Sequence, residues 1–177
     1  GGTYDRIRAG EPSGFNPLAL PDNAANRAFL RDWLGVLLKA TGPEELATIS
    51  GAVDAAYAND PSLRRLRFFR ELLSGARRPQ PGDLADRLAP WIEDGEHGWL
   101  FDNANDRLDL STPVMGFDMT ALLETPRLRT PVMMYLLQVM EELVEMARKF
   151  KAAASRGEQL GLSDDEVKFY DALANNE

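Results

Sequence analysis

The stretch from Trp99 to Asp118, WLFDNANDRLDLSTPVMGFD, interrupts a chain that is otherwise spaced like a set of helices. Its apolar residues form short clusters, which are bounded by the turn formers Asp102-Asn103 and Ser111-Thr112-Pro113. The last cluster, Val114 to Phe117, is too short for a helix. We therefore predict two short strands in this stretch, at the seam of a mainly α-helical chain.

Apolar residues recur every three or four positions before this stretch, from Asp22 to Ile92, and after it from Ala121. The spacing predicts inward positions for the large aromatic side chains of Trp33, Phe69, Trp91 and Trp99. Four helices are predicted before the stretch. The first runs from the cap Asp22 or Asn23 to Ala40, and the second from the capping box Thr41-Gly42-Pro43-Glu44 to Tyr57. The third runs from Asp60-Pro61 to Gly75 with Leu63 and Leu66 inward, and a short fourth follows Gly82-Asp83 and ends at Pro90.

A long helix is predicted to begin at Thr130-Pro131 and to end at Gly157. A second capping box, Ser163 to Glu166, begins a final helix that runs to Ala174, so the chain should end in an αα-hairpin. The stripe of the long helix needs a cover, which favours a two-fold homodimer through the Met133 to Phe150 helix. Packing of this helix on the Phe29 to Leu38 helix of a monomer is the alternative. The stripe consists of Met133, Leu136, Leu137, Met140, Leu143, Val144, Ala147, Phe150 and Ala154.

Composition excludes several classes of function. The 177 residues carry a net charge of −8, so nucleic acid or anionic lipid is not an expected partner of the whole surface. Cysteine is absent, which excludes disulfides and thiolate metal sites, and the single histidine, His97, cannot form a zinc site alone; we place it in a surface turn. No apolar run is long enough to span a membrane, and we expect a cytoplasmic, single-domain unit. Because the chain begins Gly1-Gly2 rather than with Met, we expect it to be part of a longer protein.

Two clusters of charged side chains could suggest a site. One has oxygen ligands in the order of a calcium loop, but Ala104 and Arg107 stand where that loop needs an oxygen ligand and glycine, so capped turns are favoured. The other is basic and could contact phosphate, although arginines on a helix face are usually solvated. Glu93, Asp94 and Glu96 are interpreted as a solvated turn. The first cluster is Asp102, Asn103, Asn105, Asp106 and Asp109, and the second is Arg64, Arg67, Arg70, Arg77 and Arg78.

Motifs for nucleotide binding, serine hydrolysis and zinc-dependent proteolysis are missing from the 177 residues. There is no G-x-x-x-x-G-K-[ST] phosphate loop, no apolar strand ending in an acidic pair, no G-x-S-x-G and no H-E-x-x-H. We therefore assign no catalytic residue, no cofactor-binding residue and no metal ligand.

Two blocks of sequence carry a resemblance to a known family. Gly1 to Leu34 and Gly95 to Leu137 resemble the type IV secretion and conjugal-transfer ATPases of the VirB/TrbE/CagE kind, and the resemblance covers residues 1–142. It implies a mostly helical segment between the Walker A loop and the Walker B strand of a RecA-like α/β motor domain, peripheral to the inner membrane. The parent family uses ATP and magnesium, whereas this segment lacks both motifs and is expected to be inactive on its own.

The end of the chain resembles a different family. Glu141 to Glu177, above all RGEQLGLSDDEVKFYDALANNE, is similar to the C-terminal helical region of type I restriction endonuclease R subunits, which implies a docking role. We therefore divide the chain at 1–142 and 143–177. A natural fusion, a rearranged gene and an assembly artefact all remain open as the origin of the join. The two functions to be weighed are a non-catalytic remnant of a secretion ATPase and a protein-protein docking module, with secretion-machinery or restriction-complex subunits as partners; a separate enzyme is the third.

Overall fold

The computed structural model describes residues 3–75, 77–106 and 115–175. The predicted mainly helical class is confirmed in this part of the chain. Short 3-10 turns at Pro17–Ala19, Pro61–Leu63 and Ala89–Trp91 connect the longer elements. The elements in chain order are β1 (Thr3–Arg6), α1 (Ala24–Leu37), α2 (Pro43–Ala58), α3 (Leu66–Ser74), α4 (Leu84–Leu88), α5 (Gly98–Phe101), β2 (Met115–Asp118), α6 (Thr120–Leu123), α7 (Pro126–Ser155) and α8 (Asp164–Asn175).

The predicted sheet-forming seam is not supported. Residues Gly98–Phe101 form the short helix α5, so the first of the two strands predicted in this stretch is wrong. Extended pairing among the described residues is limited to β1 and β2, which lie parallel with Thr3 opposite Met115 and Arg6 opposite Asp118. The turn formers 111–113 and the residue Val114 lie outside the described residues. The hydrophobic core is therefore made by helices and the loops that connect them.

An aromatic cluster forms the centre of the core. The Trp33 ring meets Phe101 edge-on at 5.0 Å between ring centroids, and Tyr135 lies 5.3 Å from Phe15 and 6.1 Å from Phe101. The Trp33 indole Nε1 donates a 3.0 Å hydrogen bond to the carbonyl oxygen of Pro131. Since Trp33 is on α1 and Pro131 on α7, this bond satisfies the one polar atom of the buried indole and joins the two helices.

Helix α7 begins earlier than its sequence predicts. It starts at Pro126, and Pro131 lies inside it rather than at its first position. Proline in a helix interior removes a backbone hydrogen bond and usually costs about 3 kcal/mol. Here the ring is buried in the core, so packing offsets part of that cost. The start at Thr130-Pro131 was wrong because Pro126 already supplies the favoured proline of a first turn.

The capping predictions have mixed outcomes. Asn23 caps α1 by accepting a 2.7 Å bond from the Asn26 amide nitrogen, as predicted. The box at Ser163 and Glu166 is confirmed, because each side chain bonds the other's backbone nitrogen. The box before α2 is wrong, since the cap is Gly42, which has no side chain, and Glu45 rather than Glu44 accepts a 3.3 Å bond from the Thr41 backbone nitrogen. Leu63 was predicted to face inward, but it is 46% exposed because Pro61–Leu63 form a 3-10 turn that precedes α3.

Candidate docking surface

The outward face of α7 carries an uncovered apolar row. Met133, Leu137 and Met140 are 39%, 55% and 60% exposed, and their spacing of four and three residues places them on one face. Tyr135 and Val139 lie on the opposite face and are buried. We call Met133, Leu137 and Met140 the outward row. Of the other residues in the predicted stripe, Ala147 is buried, Ala154 is exposed, and Leu136, Leu143, Val144 and Phe150 are half-buried.

The inward face of α7 is fastened to α1 by a polar network. One carboxylate oxygen of Glu142, Oε1, accepts hydrogen bonds from the side-chain amides of Asn23 at 2.8 Å and Asn26 at 2.6 Å. Asn26 in turn accepts a 2.8 Å bond from Gln138 and donates one to the carbonyl oxygen of Pro21. Glu142 is 8% exposed, and these two amides supply the hydrogen bonds that a buried carboxylate oxygen needs. Sequence analysis missed this network.

Beyond Glu142, α7 pairs with α8 as the predicted hairpin. The Phe150 and Tyr170 rings lie 5.6 Å apart, and Tyr170 is buried. Lys151 Nζ donates a 2.7 Å bond to the side-chain oxygen of Asn175. The proposed boundary between residues 142 and 143 lies inside α7, which runs through it without interruption.

The predicted basic cluster is divided among different structural roles. Arg67 forms ion pairs with Glu93 at 2.7 Å and with Asp102 at 3.1 Å. The Arg64 guanidinium lies over the Tyr57 ring, 4.8 Å from its centroid. Arg77 and Arg78 line a separate surface cleft between α2 and the α3 to α4 connection. Arg64, Arg67 and the pair Arg77 and Arg78 therefore do not share one phosphate-binding surface.

The cluster whose order suggested a calcium loop begins with Asp102, and this residue is a buried structural anchor. Asp102 is 4% exposed and accepts bonds from the backbone nitrogen of Glu93 at 3.0 Å and of Arg67 at 3.2 Å. The Asn103 side-chain amide donates to the Phe15 carbonyl at 3.0 Å, and Asp106 accepts from the Tyr135 hydroxyl. Asp109 lies outside the described residues. Across the described ranges, no three His, Asp or Glu side chains are grouped to hold a metal ion.

His97 is not the surface residue that we predicted. It is 7% exposed, and its ring lies 5.0 Å from the Trp91 ring, tilted by 44°. Burial lowers the pKa of the imidazole, the Glu96 carboxylate opposes this effect, and the Arg127 charge adds to it. The turn folds inward because the His97 backbone nitrogen bonds the Pro90 carbonyl at 2.8 Å. A Cβ atom at Gly98 would overlap the Ile92 carbonyl, so this turn requires glycine there.

Comparison with known proteins identifies relatives of both parts. The type IV secretion system protein PtlC of Bordetella pertussis is 39% identical over 158 residues, which cover 83% of this chain and 19% of PtlC. The type IV secretion system protein virB4 of Bartonella henselae is 33% identical over 153 residues, and protein virB4 of Agrobacterium tumefaciens is 35% identical over 154; each match covers 84% of this chain and 19% of the relative. This chain thus spans about a fifth of the length of these relatives.

A family model also matches residues 134–177, under the description type I restriction enzyme HindI endonuclease subunit-like, C-terminal. The match begins inside α7, before the Glu141 start that the resemblance suggested. Within the described ranges, no helix has the length and apolar character needed to cross a membrane. The identities above show that this chain is a homologue of the VirB4 and PtlC type IV secretion proteins and corresponds to a segment of them.

Proposed function

We propose that this chain is a non-catalytic docking segment of a type IV secretion protein, and that it binds no nucleotide by itself. The outward row of α7 is the observation that carries the docking role. Large apolar side chains that share an exposed face usually mark a partner surface. Another component of a type IV secretion system is the partner class that the relatives' names support. A cytoplasmic location is part of the same proposal, and the resemblance implies a position peripheral to the inner membrane.

The row also suggests a partner of the simplest kind, a second copy of this chain. Leu137 has a methionine four residues before it and another three residues after it. In an antiparallel two-fold pair, Leu137 would meet its own symmetry mate, and Met133 would meet Met140. Such a contact is self-complementary and closes on itself as a dimer.

Light scattering on the intact chain tests this dimer. We expect a dimer at high micromolar concentration and a monomer for Met140→Glu, because a carboxylate would be buried at the contact. Glu141→Gln is the matched control, since it changes the next residue outside the row. A wild-type chain that stays monomeric would exclude the homodimer and leave another secretion component as the partner.

The nucleotide part of the proposal has its own test. A phosphate loop holds nucleotide with backbone N–H groups and a lysine, and the magnesium ion with a hydroxyl and an acidic residue. The 177 residues contain no such motif. Isothermal titration with ATP and magnesium should therefore show no binding, and micromolar affinity would overturn this part.

The match at residues 134–177 favours a second function, in which the hairpin of α7 and α8 is the docking module, like the tail of a restriction R subunit. The DNA that flanks the gene distinguishes the two. An upstream Walker A motif in frame supports the secretion segment. An upstream helicase-like nuclease reading frame supports the restriction-type module.

A further inference from the structure

A cleft of about 420 Å³ lies where the end of α1 meets the first turns of α7. This volume is within the range of about 300–1,000 Å³ that ligand pockets occupy. Trp91, whose ring contacts that of the buried His97, forms one wall. The other lining residues are apolar except for Thr130 and two cations, and they are Val36, Leu37, Lys39, Pro126, Arg127, Thr130 and Pro131.

The charge of the cleft is opposite to that of the whole protein. Lys39 and Arg127 are its two charged lining residues, and none of the described residues that line it is acidic. The chain as a whole carries −8. The cleft also lies at the N-terminal end of the 30-residue helix α7, where the helix dipole adds positive potential. An apolar cavity with two cations at its edge favours a ligand that is itself apolar at one end and anionic at the other.

We propose that this cleft binds a small amphiphilic carboxylate. The apolar part would lie against Trp91, Leu37 and the two prolines, and the carboxylate would lie between Lys39 and Arg127. Among the residues that the structure describes, none forms an ion pair or hydrogen bond with the Lys39 ammonium, so no protein partner competes with a ligand for it. The site is separate from the outward row and does not depend on the proposed docking function.

Glu96 competes for one of the two cations. Its carboxylate lies 3.9 Å from an Arg127 side-chain nitrogen and is 72% exposed. The Arg127 guanidinium also lies 5.9 Å from the Trp91 ring centroid, which keeps it at the edge of the cleft. An exposed pair of this kind is weak, so a ligand carboxylate can replace Glu96. Removal of the Glu96 charge should then strengthen binding.

Titration of the full ¹⁵N-labelled chain with sodium octanoate, followed by NMR, tests the site. We expect saturable shifts at the amides of Val36, Lys39 and Thr130, with a Kd on the order of 1 mM, as suits a ligand of this size. Octanol carries the same tail without the charge, and inorganic phosphate carries charge without the tail. Both should bind about tenfold more weakly or not at all.

Variants that remove one charge each test which side chains bind the carboxylate. Arg127→Gln and Lys39→Gln should each weaken octanoate about threefold to tenfold, and Glu96→Gln should strengthen it about twofold. Lys149→Gln removes a charge from α7 far from the cleft and should change nothing. If Arg127→Gln does not fold, Lys39→Gln and Glu96→Gln still decide the question. Equal binding of octanol, unchanged affinity in both cation variants, or shifts confined to the outward row would overturn the proposal.

Discussion

Glu142 on α7 accepts a 2.6 Å hydrogen bond from the side-chain amide of Asn26 on α1. The two residues are far apart in sequence, and both are buried. A buried carboxylate usually pairs with a cation, whereas this one is held by the amides of Asn26 and Asn23. The bond therefore joins α7 to the body of the protein at the point where the two sequence resemblances meet.

We expect Glu142→Ala to lower the free energy of unfolding by about 2–4 kcal/mol, because it removes the acceptor of the half-buried Asn23 amide and one of the two acceptors of the buried Asn26 amide. Urea denaturation followed by circular dichroism measures the change. Glu141→Ala is the matched control, since Glu141 is exposed and its removal should change stability by less than about 0.5 kcal/mol. Equal effects of the two substitutions would show that the network contributes nothing to stability.

Trp33→Ala should cost about 3–5 kcal/mol, because the indole is fully buried and its removal leaves a cavity beside Phe101. Trp33→Phe retains most of the packing and removes the bond to the Pro131 carbonyl, so it should cost less. Phe68→Ala, at a ring that is 40% exposed, is the control for loss of an aromatic side chain. An unchanged thermal midpoint in Trp33→Ala would contradict the assignment of Trp33 to the core.

Asp102→Ala should cost about 3–5 kcal/mol, because it removes a buried carboxylate that pairs with Arg67 and leaves the backbone nitrogens of Glu93 and Arg67 without an acceptor. Asp171→Ala, at an exposed position of helix α8, is the control. Thermal unfolding of both variants at pH 7 measures the difference. A small effect at Asp102 would mean that water replaces the carboxylate without loss.

Stability should fall as the pH drops below about 7, and His97 should cause part of the fall. Burial lowers the pKa of its imidazole in the folded state below the unfolded value of about 6.5. The folded state thus favours neutral His97, and this contribution is complete above the unfolded pKa and is lost as the pH falls below it.

His97→Phe keeps a ring against Trp91 but removes the titrating imidazole. The free energy of unfolding of this variant should therefore depend less on pH between 7 and 5 than that of the wild type. Because His97 is the single histidine of the chain, its ring protons report the pKa by NMR without ambiguity. A measured pKa at or above the unfolded value would show that the imidazole is not held in its neutral form.

The sequence predicted the helices well and the polar contacts poorly. Asn23 and the Ser163 to Glu166 box were found because caps are local patterns. Glu142 was missed because a glutamate in a helix usually faces solvent. Val139 follows Tyr135 by four residues, and Glu142 follows Val139 by three. This helical spacing was the available signal that Glu142 shares their buried face.

Two errors arose from tertiary contacts that override local signals. The apolar run at Trp99 to Phe101 looked like a strand, but it becomes a helical turn because Leu100 and Phe101 are buried against helices. The outward row shows the reverse case, since part of a stripe that looks like core is exposed. Spacing tells which residues share a face, but it does not tell whether anything covers that face.

The continuity of α7 has a mechanical consequence. From Glu142 to the end of the helix at Ser155 the chain rises about 20 Å, at about 1.5 Å per residue. A rigid helix of this length would act as a lever about the Glu142–Asn26 hydrogen bond. A rotation of α7 at that bond would move its far end, where the turn into α8 lies, further than it moves Glu142.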